Sequence, residues 1–121
     1  FKKVNDQLGH QVGDQVLTAV AHCIEEQVRS LDRVGRNGGE EFLVLLPDTE
    51  LEEAAEVAER VRIAVSRLVI EGVPEDHPIH VSIGCAEYRA EDDNRGELIR
   101  RADEAMYAAK RAGRNRVVKA A

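Results

Sequence analysis

The chain has 121 residues, 43% of them hydrophobic and 33% charged, a balance that suits one folded globular domain and excludes a disordered chain. Its net charge of -6 works against sequence-independent binding of duplex nucleic acid, which needs basic surface. Two Phe, two Tyr and no Trp also leave little for a base-stacking platform, although one nucleotide held at one small site remains within reach.

The chain opens on Phe1-Lys2-Lys3 with neither an initiator Met nor a capping residue, so a segment of a longer polypeptide is expected. Gly9, Gly13 and Asp14 then precede Leu17, Val20, Ala21, Ile24, Val28 and Leu31, spaced three or four apart. This predicts an amphipathic helix of about four turns with Asp14 near its positive end. Asn37-Gly38 is a tight-hairpin signal between Asp32-Arg33-Val34-Gly35-Arg36 and Glu41-Phe42-Leu43-Val44-Leu45-Leu46, both of strand length.

Pro47-Asp48 ends the second strand, and Thr49 with Glu52 forms a capping box for a helix burying Leu51, Ala54, Ala55, Ala58, Val61, Val65 and Leu68. That helix is expected to give out near Gly72-Val73-Pro74. Residues 79–86 alternate Ile79, Val81, Ile83 and Cys85 with smaller or more polar neighbours, the period of a strand with one apolar face. A charged loop over 89–95 leads through Asn94 and Glu97, a second capping box, into a helix that Gly113 stops, and Val117-Val118 makes a last short strand.

One further strand in front of this order gives βαββαβ with an added helix and strand. The fold class expected is therefore α+β, a ferredoxin-like sandwich, with its first strand expected before Phe1. Cys23 and Cys85 show no metal-ligand spacing and read as buried, reduced thiols of a cytoplasmic protein. His22, His77 and His80 form no metal pattern either.

The organising stretch is Gly38-Gly39-Glu40-Glu41-Phe42. Glycines without Cβ atoms let a ligand approach the backbone, and carboxylates at the rim suit a hard cation such as Mg²⁺, which in turn favours phosphates. The plain alternative is a solvated hairpin whose acids only keep it soluble. Adjacent strand residues point to opposite faces, so Glu40 and Glu41 serve one site only if Glu40 belongs to the turn.

Several stretches together resemble the GGDEF family of bacterial diguanylate cyclase domains, in its GGEEF variant. They are Phe1-Lys2-Lys3-Val4-Asn5-Asp6, Gly9-His10, Gly13-Asp14, Arg36 before the glycine turn, Val81-Ser82-Ile83-Gly84, Ala102-Asp103, Met106-Tyr107, Ala109-Lys110 and Gly113-Arg114-Asn115. The resemblance implies a domain like the catalytic cores of nucleotide cyclases, two copies of which face each other as a homodimer and condense two GTP into cyclic di-GMP with release of pyrophosphate. Asn5 and Asp14 would read the guanine edge, with His10 in the same pocket. Lys2, Lys110 and Arg114 would hold the triphosphate, and Gly38 and Gly39 would let it approach. Glu40 and Glu41 would carry Mg²⁺ or Mn²⁺, Glu40 being either the base for the attacking 3′-hydroxyl or a ligand that positions it. Lys110 and Arg114 also suit a helix C-terminus for the dipole alone.

The family places a further metal-binding Asp on the first strand, before the position of Phe1, so this chain alone is expected to be inactive or weakly active and its parent, if it supplies that Asp, competent. An upstream sensory domain is implied, and a membrane-anchored parent stays open. The alternative function is a sensor that binds cyclic di-GMP or GTP without turnover.

Arg29-Ser30-Leu31-Asp32 occupies the position of the family's product-inhibition site, with Arg60, or less favourably Arg62, completing it. By chemistry alone the favoured reading of the tetrapeptide is an i,i+3 ion pair at a helix end.

Overall fold

The structure, a computed structural model, describes residues 2–92 and 94–121, without the side chains of Lys2 and Lys3. They divide into two compact units, one taking the chain up to Pro47 with Ala64–Ile79, the other Asp48–Ile63 with His80–Ala121.

The first unit opens on two helices rather than one, α1 (Lys2–Leu8) and α2 (His10–Gln27). Gly9 separates them with φ 91 and ψ 161, a conformation that only glycine adopts without strain. The two helices stay joined by hydrogen bonds: Gly9 N–H donates to the Asn5 carbonyl at 3.0 Å, and Gly13 N–H to the Gly9 carbonyl at 3.1 Å. The helix expected after Asp14 thus starts at His10, and Asp14 lies one turn inside it. Gly13, Val16, Leu17, Val20, Cys23 and Ile24 are its buried stripe.

The apolar spacing continues to Leu31, but the helix does not. Val28 is extended (φ -113, ψ 165), and Leu31 is 47% exposed. The chain turns instead through Arg29–Asp32, where Asp32 N–H donates to the Arg29 carbonyl at 3.0 Å. β1 (Arg33–Arg36) and β2 (Phe42–Leu45) then pair antiparallel with Arg33 opposite Leu45 and Arg36 opposite Phe42.

Asn37 N–H donates to the Glu41 carbonyl at 2.8 Å, so the turn is not the two-residue Asn-Gly hairpin. Asn37 is not in the left-handed region that such a turn demands, and only Gly38 is, at φ 91. The tip is Gly38-Gly39-Glu40, which puts Glu40 in the turn, and Glu41 closes it.

α3 (Leu51–Ser66), which belongs to the second unit up to Ile63, begins with the Glu50 carbonyl accepting from Ala54 N–H at 2.9 Å. At its head Leu51 N–H donates to Glu87 Oε1 at 2.8 Å, an acceptor far away in sequence. Glu52 accepts from Lys119 Nζ at 2.9 Å. α3 ends at Ser66, short of Gly72, as Arg67 and Leu68 N–H groups tighten onto carbonyls three residues back. The β-branched pair Val69-Ile70 does nothing to extend it.

β3 (Ser82–Cys85) pairs in parallel with β4 (Arg116–Lys119), and α4 (Arg95–Arg111) makes the crossover. The predicted strand over 79–86 is cut to four residues because its partner offers only four. The described strands therefore form two two-stranded sheets. Asn94 caps α4 as predicted, its Oδ1 accepting Glu97 N–H at 3.2 Å. At the other end Gly113 N–H donates to Lys110 and Arg114 N–H to the Ala109 carbonyl at 2.9 Å, a Schellman closure with Gly113 at φ 120. No described helix is long and apolar enough to cross a membrane.

Candidate active site

The Gly9 bend has a functional consequence. It breaks the helical line between Asn5 on α1 and Asp14 on α2, and both side chains line one cleft of about 510 Å³ with the hairpin turn. Leu17, Arg36, Asn37, Gly38, Gly39, Glu40 and Glu41 complete its wall. Leu17 is a buried apolar member, at 7% exposure, among polar groups. Arg36 donates through Nη2 to the Gly39 carbonyl in a close hydrogen bond, bracing the turn from the end of β1.

Six of the predicted site residues (Asn5, Asp14, Gly38, Gly39, Glu40 and Glu41) therefore share one cleft. His10, the exposed first residue of α2, does not line it. Lys2 falls among the side chains outside the described ones. Lys110 and Arg114 sit at the C-terminal end of α4 in the second unit, where the Lys110 ammonium stands 6.0 Å from the Tyr107 ring centroid.

The cleft offers three carboxylates, two carboxamides and one guanidinium. Among the described residues no group of three or more His, Cys, Asp or Glu side chains is gathered closely enough to cage an ion. Two adjacent hard-oxygen ligands at a turn nevertheless fit Mg²⁺, which keeps several waters and takes one or two carboxylates plus substrate phosphate oxygens.

Arg29 and Asp32 are engaged with each other. Arg29 Nε and Nη2 donate to Asp32 Oδ2 and Oδ1 at 3.3 and 3.0 Å, and the Arg29 backbone N–H donates to Oδ2 at 2.7 Å. Asp32 is 2% exposed at its side chain and Arg29 53%. The hydrogen bonds from Arg29 hold the Asp32 carboxyl below the usual carboxylate range. Arg29 Nη2 also donates to the Pro47 carbonyl at 3.0 Å. Arg60 lies exposed on α3 in the other unit.

The same clasp occurs a second time, unnoticed in the sequence although the spacing is plain. In Arg89-Ala90-Glu91-Asp92, Arg89 N–H donates to Asp92 Oδ2 at 2.8 Å and Asp92 N–H returns to the Arg89 carbonyl at 3.0 Å. Here Arg101 of α4 supplies the guanidinium, at 3.0 Å. Arg36 was likewise visible only as a neighbour of the turn, and Leu17 only as core.

Helices and two-stranded sheets with an acidic glycine turn beside a polar cleft suit a phosphate-bearing ligand held with a hard cation. Comparison with known proteins makes it specific, since residues 1–116 match "Diguanylate cyclase, GGDEF domain". The chain is 45% identical over 120 residues to diguanylate cyclase DgcM of Escherichia coli K12, covering 99% of this chain and 28% of that protein. It superposes with a TM-score of 0.92 and 33% identity on the active GGEEF domain of a diguanylate cyclase from Vibrio cholerae, over 99% of this chain and 76% of that one. The GGDEF domain of DgcB from Caulobacter crescentus, solved in complex with c-di-GMP, gives 0.86 and 37% over 98% and 70%. The chain belongs to the GGDEF diguanylate cyclase domain family, and it spans about a quarter of the length of the curated relatives it matches.

Proposed function

We propose that this domain binds GTP at the glycine-turn cleft and, within its full protein, condenses two GTP into cyclic di-GMP. The observation that carries this is the convergence of Asn5, Asp14, Gly38, Gly39, Glu40 and Glu41 on one cleft. The Asn5 carboxamide suits the O6/N7 edge of guanine, and the Asp14 carboxylate accepts from N1 and N2. Gly38 and Gly39 present bare backbone to the ribose and phosphates. Lys110 and Arg114 act as phosphate cations. Glu40 and Glu41 would hold a divalent ion, which when bound neutralises the triphosphate. The attacking 3′-hydroxyl loses its proton near Glu40, and pyrophosphate leaves. Catalysis needs a second copy of the domain to bring the second GTP.

The test is chromatography of products formed by the full encoded protein from GTP and Mg²⁺. Cyclic di-GMP should appear, and Glu41→Gln should reduce its rate on the order of a hundredfold, the scale of losing one electrostatic group at a reacting centre. No product from wild type, with Glu41→Gln indistinguishable from it, would sink the reading in favour of a domain that binds without turnover.

Product inhibition through Arg29, Asp32 and Arg60 belongs to the same proposal. The buried Asp32 already accepts from Arg29, so a ligand reaches this site by taking over bonds of the half-exposed guanidinium. Calorimetry with cyclic di-GMP decides it: Arg29→Ala should abolish binding, and an unaltered affinity would remove the assignment.

A further inference from the structure

The end of α4 is more constrained than a helix stop requires. A Schellman closure needs one left-handed residue, and Gly113 supplies it. Yet Arg114 (φ 64) and Asn115 (φ 46) are left-handed as well. Each costs on the order of 1 kcal/mol outside glycine, so surrounding contacts must hold them there.

Those contacts can be named. Arg114 N–H donates to the Ala109 carbonyl at 2.9 Å, and the Arg114 carbonyl accepts from Arg116 Nε at 3.0 Å. Asn115 Oδ1 accepts from Arg62 Nη1 at 3.0 Å, across 53 residues of sequence. Arg62 is itself fixed: only 22% of its side chain is exposed, and its Nε donates to Glu59 Oε1 at 2.9 Å, one turn back on α3. The result is an arginine whose backbone is gripped on both sides while the residue itself stays exposed.

We infer that Arg62 and Asn115 are positioning residues for Arg114, holding the Gly113–Asn115 turn left-handed so that the Arg114 guanidinium is presented, pre-organised, to a nucleotide phosphate. This rests on the phosphate role proposed for Arg114 and extends it to two residues that act through its backbone. Arg62 is thereby assigned to the α4 terminus rather than to the Arg29–Asp32 clasp.

The experiment measures the affinity of the full encoded protein for a non-hydrolysable GTP analogue by calorimetry, beside thermal melting. Arg62→Met should weaken binding about fivefold, the scale of one coupled pair of contacts. Arg62→Lys, which keeps a donor, should recover most of that loss. Asn115→Gly adopts the left-handed backbone freely but lacks the carboxamide, and should match Arg62→Met even if the latter folds poorly. In an Arg114→Ala background neither substitution should weaken binding further. Unchanged affinity in Asn115→Gly, or an equal loss whether or not Arg114 is present, would overturn the inference. If Arg114→Ala itself binds the analogue as well as wild type, the phosphate role fails and takes the inference with it.

Discussion

Gly84 of β3 lies so close to α4 that a Cβ on it would stand 2.1 Å from the Ala102 carbonyl oxygen and 2.3 Å from the Met106 nitrogen. Both obstacles are helix backbone, which cannot swing aside as a side chain does. Gly84→Ala should therefore push β3 off α4 and cost about 3 kcal/mol, at the upper end of overpacking. Chemical denaturation checks it. A midpoint within 0.5 kcal/mol of wild type, estimated as the range of a neutral surface change, would mean the contact is looser than this geometry.

Gly9 and Gly39 separate two uses of glycine. A Cβ at either meets nothing within 4 Å, so crowding is not the issue. Gly9 has φ 91, and Gly9→Ala should cost about 2 kcal/mol through backbone strain alone and weaken GTP-analogue binding by disturbing the relation of Asn5 to Asp14. Gly39 is not left-handed, so Gly39→Ala should melt like wild type while binding the analogue about tenfold more weakly, because its methyl intrudes on the cleft. Both variants should lose affinity by calorimetry, and melting should separate them, Gly9→Ala unfolding earlier and Gly39→Ala with wild type.

Asp32 makes stability depend on acid. Its carboxyl is held below its ordinary value of 3.8, so its contribution is full above that value and disappears as pH falls through the lowered one. Asp32→Asn should lose about 2 kcal/mol at pH 7, the worth of charged hydrogen bonds to a buried group. The gap to wild type should narrow below pH ~4. Urea titrations at both ends of that range measure it.

Cys85 is buried, and burial pushes its thiol up to about 11, while the Cys23 thiol is raised as well, first by burial and then by Glu26. Since the thiolate is the reactive form, neither should react with a disulfide reagent at pH 8 in the native state, and both should react on unfolding. Rapid labelling of the folded protein would contradict this.

The chemistry was more legible in the sequence than the backbone was. The glycine turn, the Asn94 cap and the Gly113 stop depend on residue types whose local preferences are strong, and all three appear where they were expected. Element ends fared worse, for particular reasons. Periodicity ran on through Val28 and Leu31, but the Asp32 carboxylate captures the Arg29 amide and turns the chain first. Asn37-Gly38 promised a two-residue turn, and the Arg36–Phe42 register overrode it. Leu51 N–H at the head of α3 finds an acceptor in Glu87, 36 residues away, which no local pattern reveals. Around the cleft, Arg36 was legible only as a neighbour of the glycine turn and Arg62 only as an alternative to Arg60, because their bonds to the Gly39 carbonyl and to Asn115 follow no local pattern.

The reach of Arg29 to Pro47 has a mechanical meaning. It joins the exit of α2 to the exit of β2, so the hairpin is fastened at its root by a side chain, with Glu40 and Glu41 at the far tip. Closing a chain segment of this size removes conformational freedom that the tip would otherwise have. Breaking the Arg29–Pro47 bond would remove one fastening at the root of the hairpin whose tip carries the two acids.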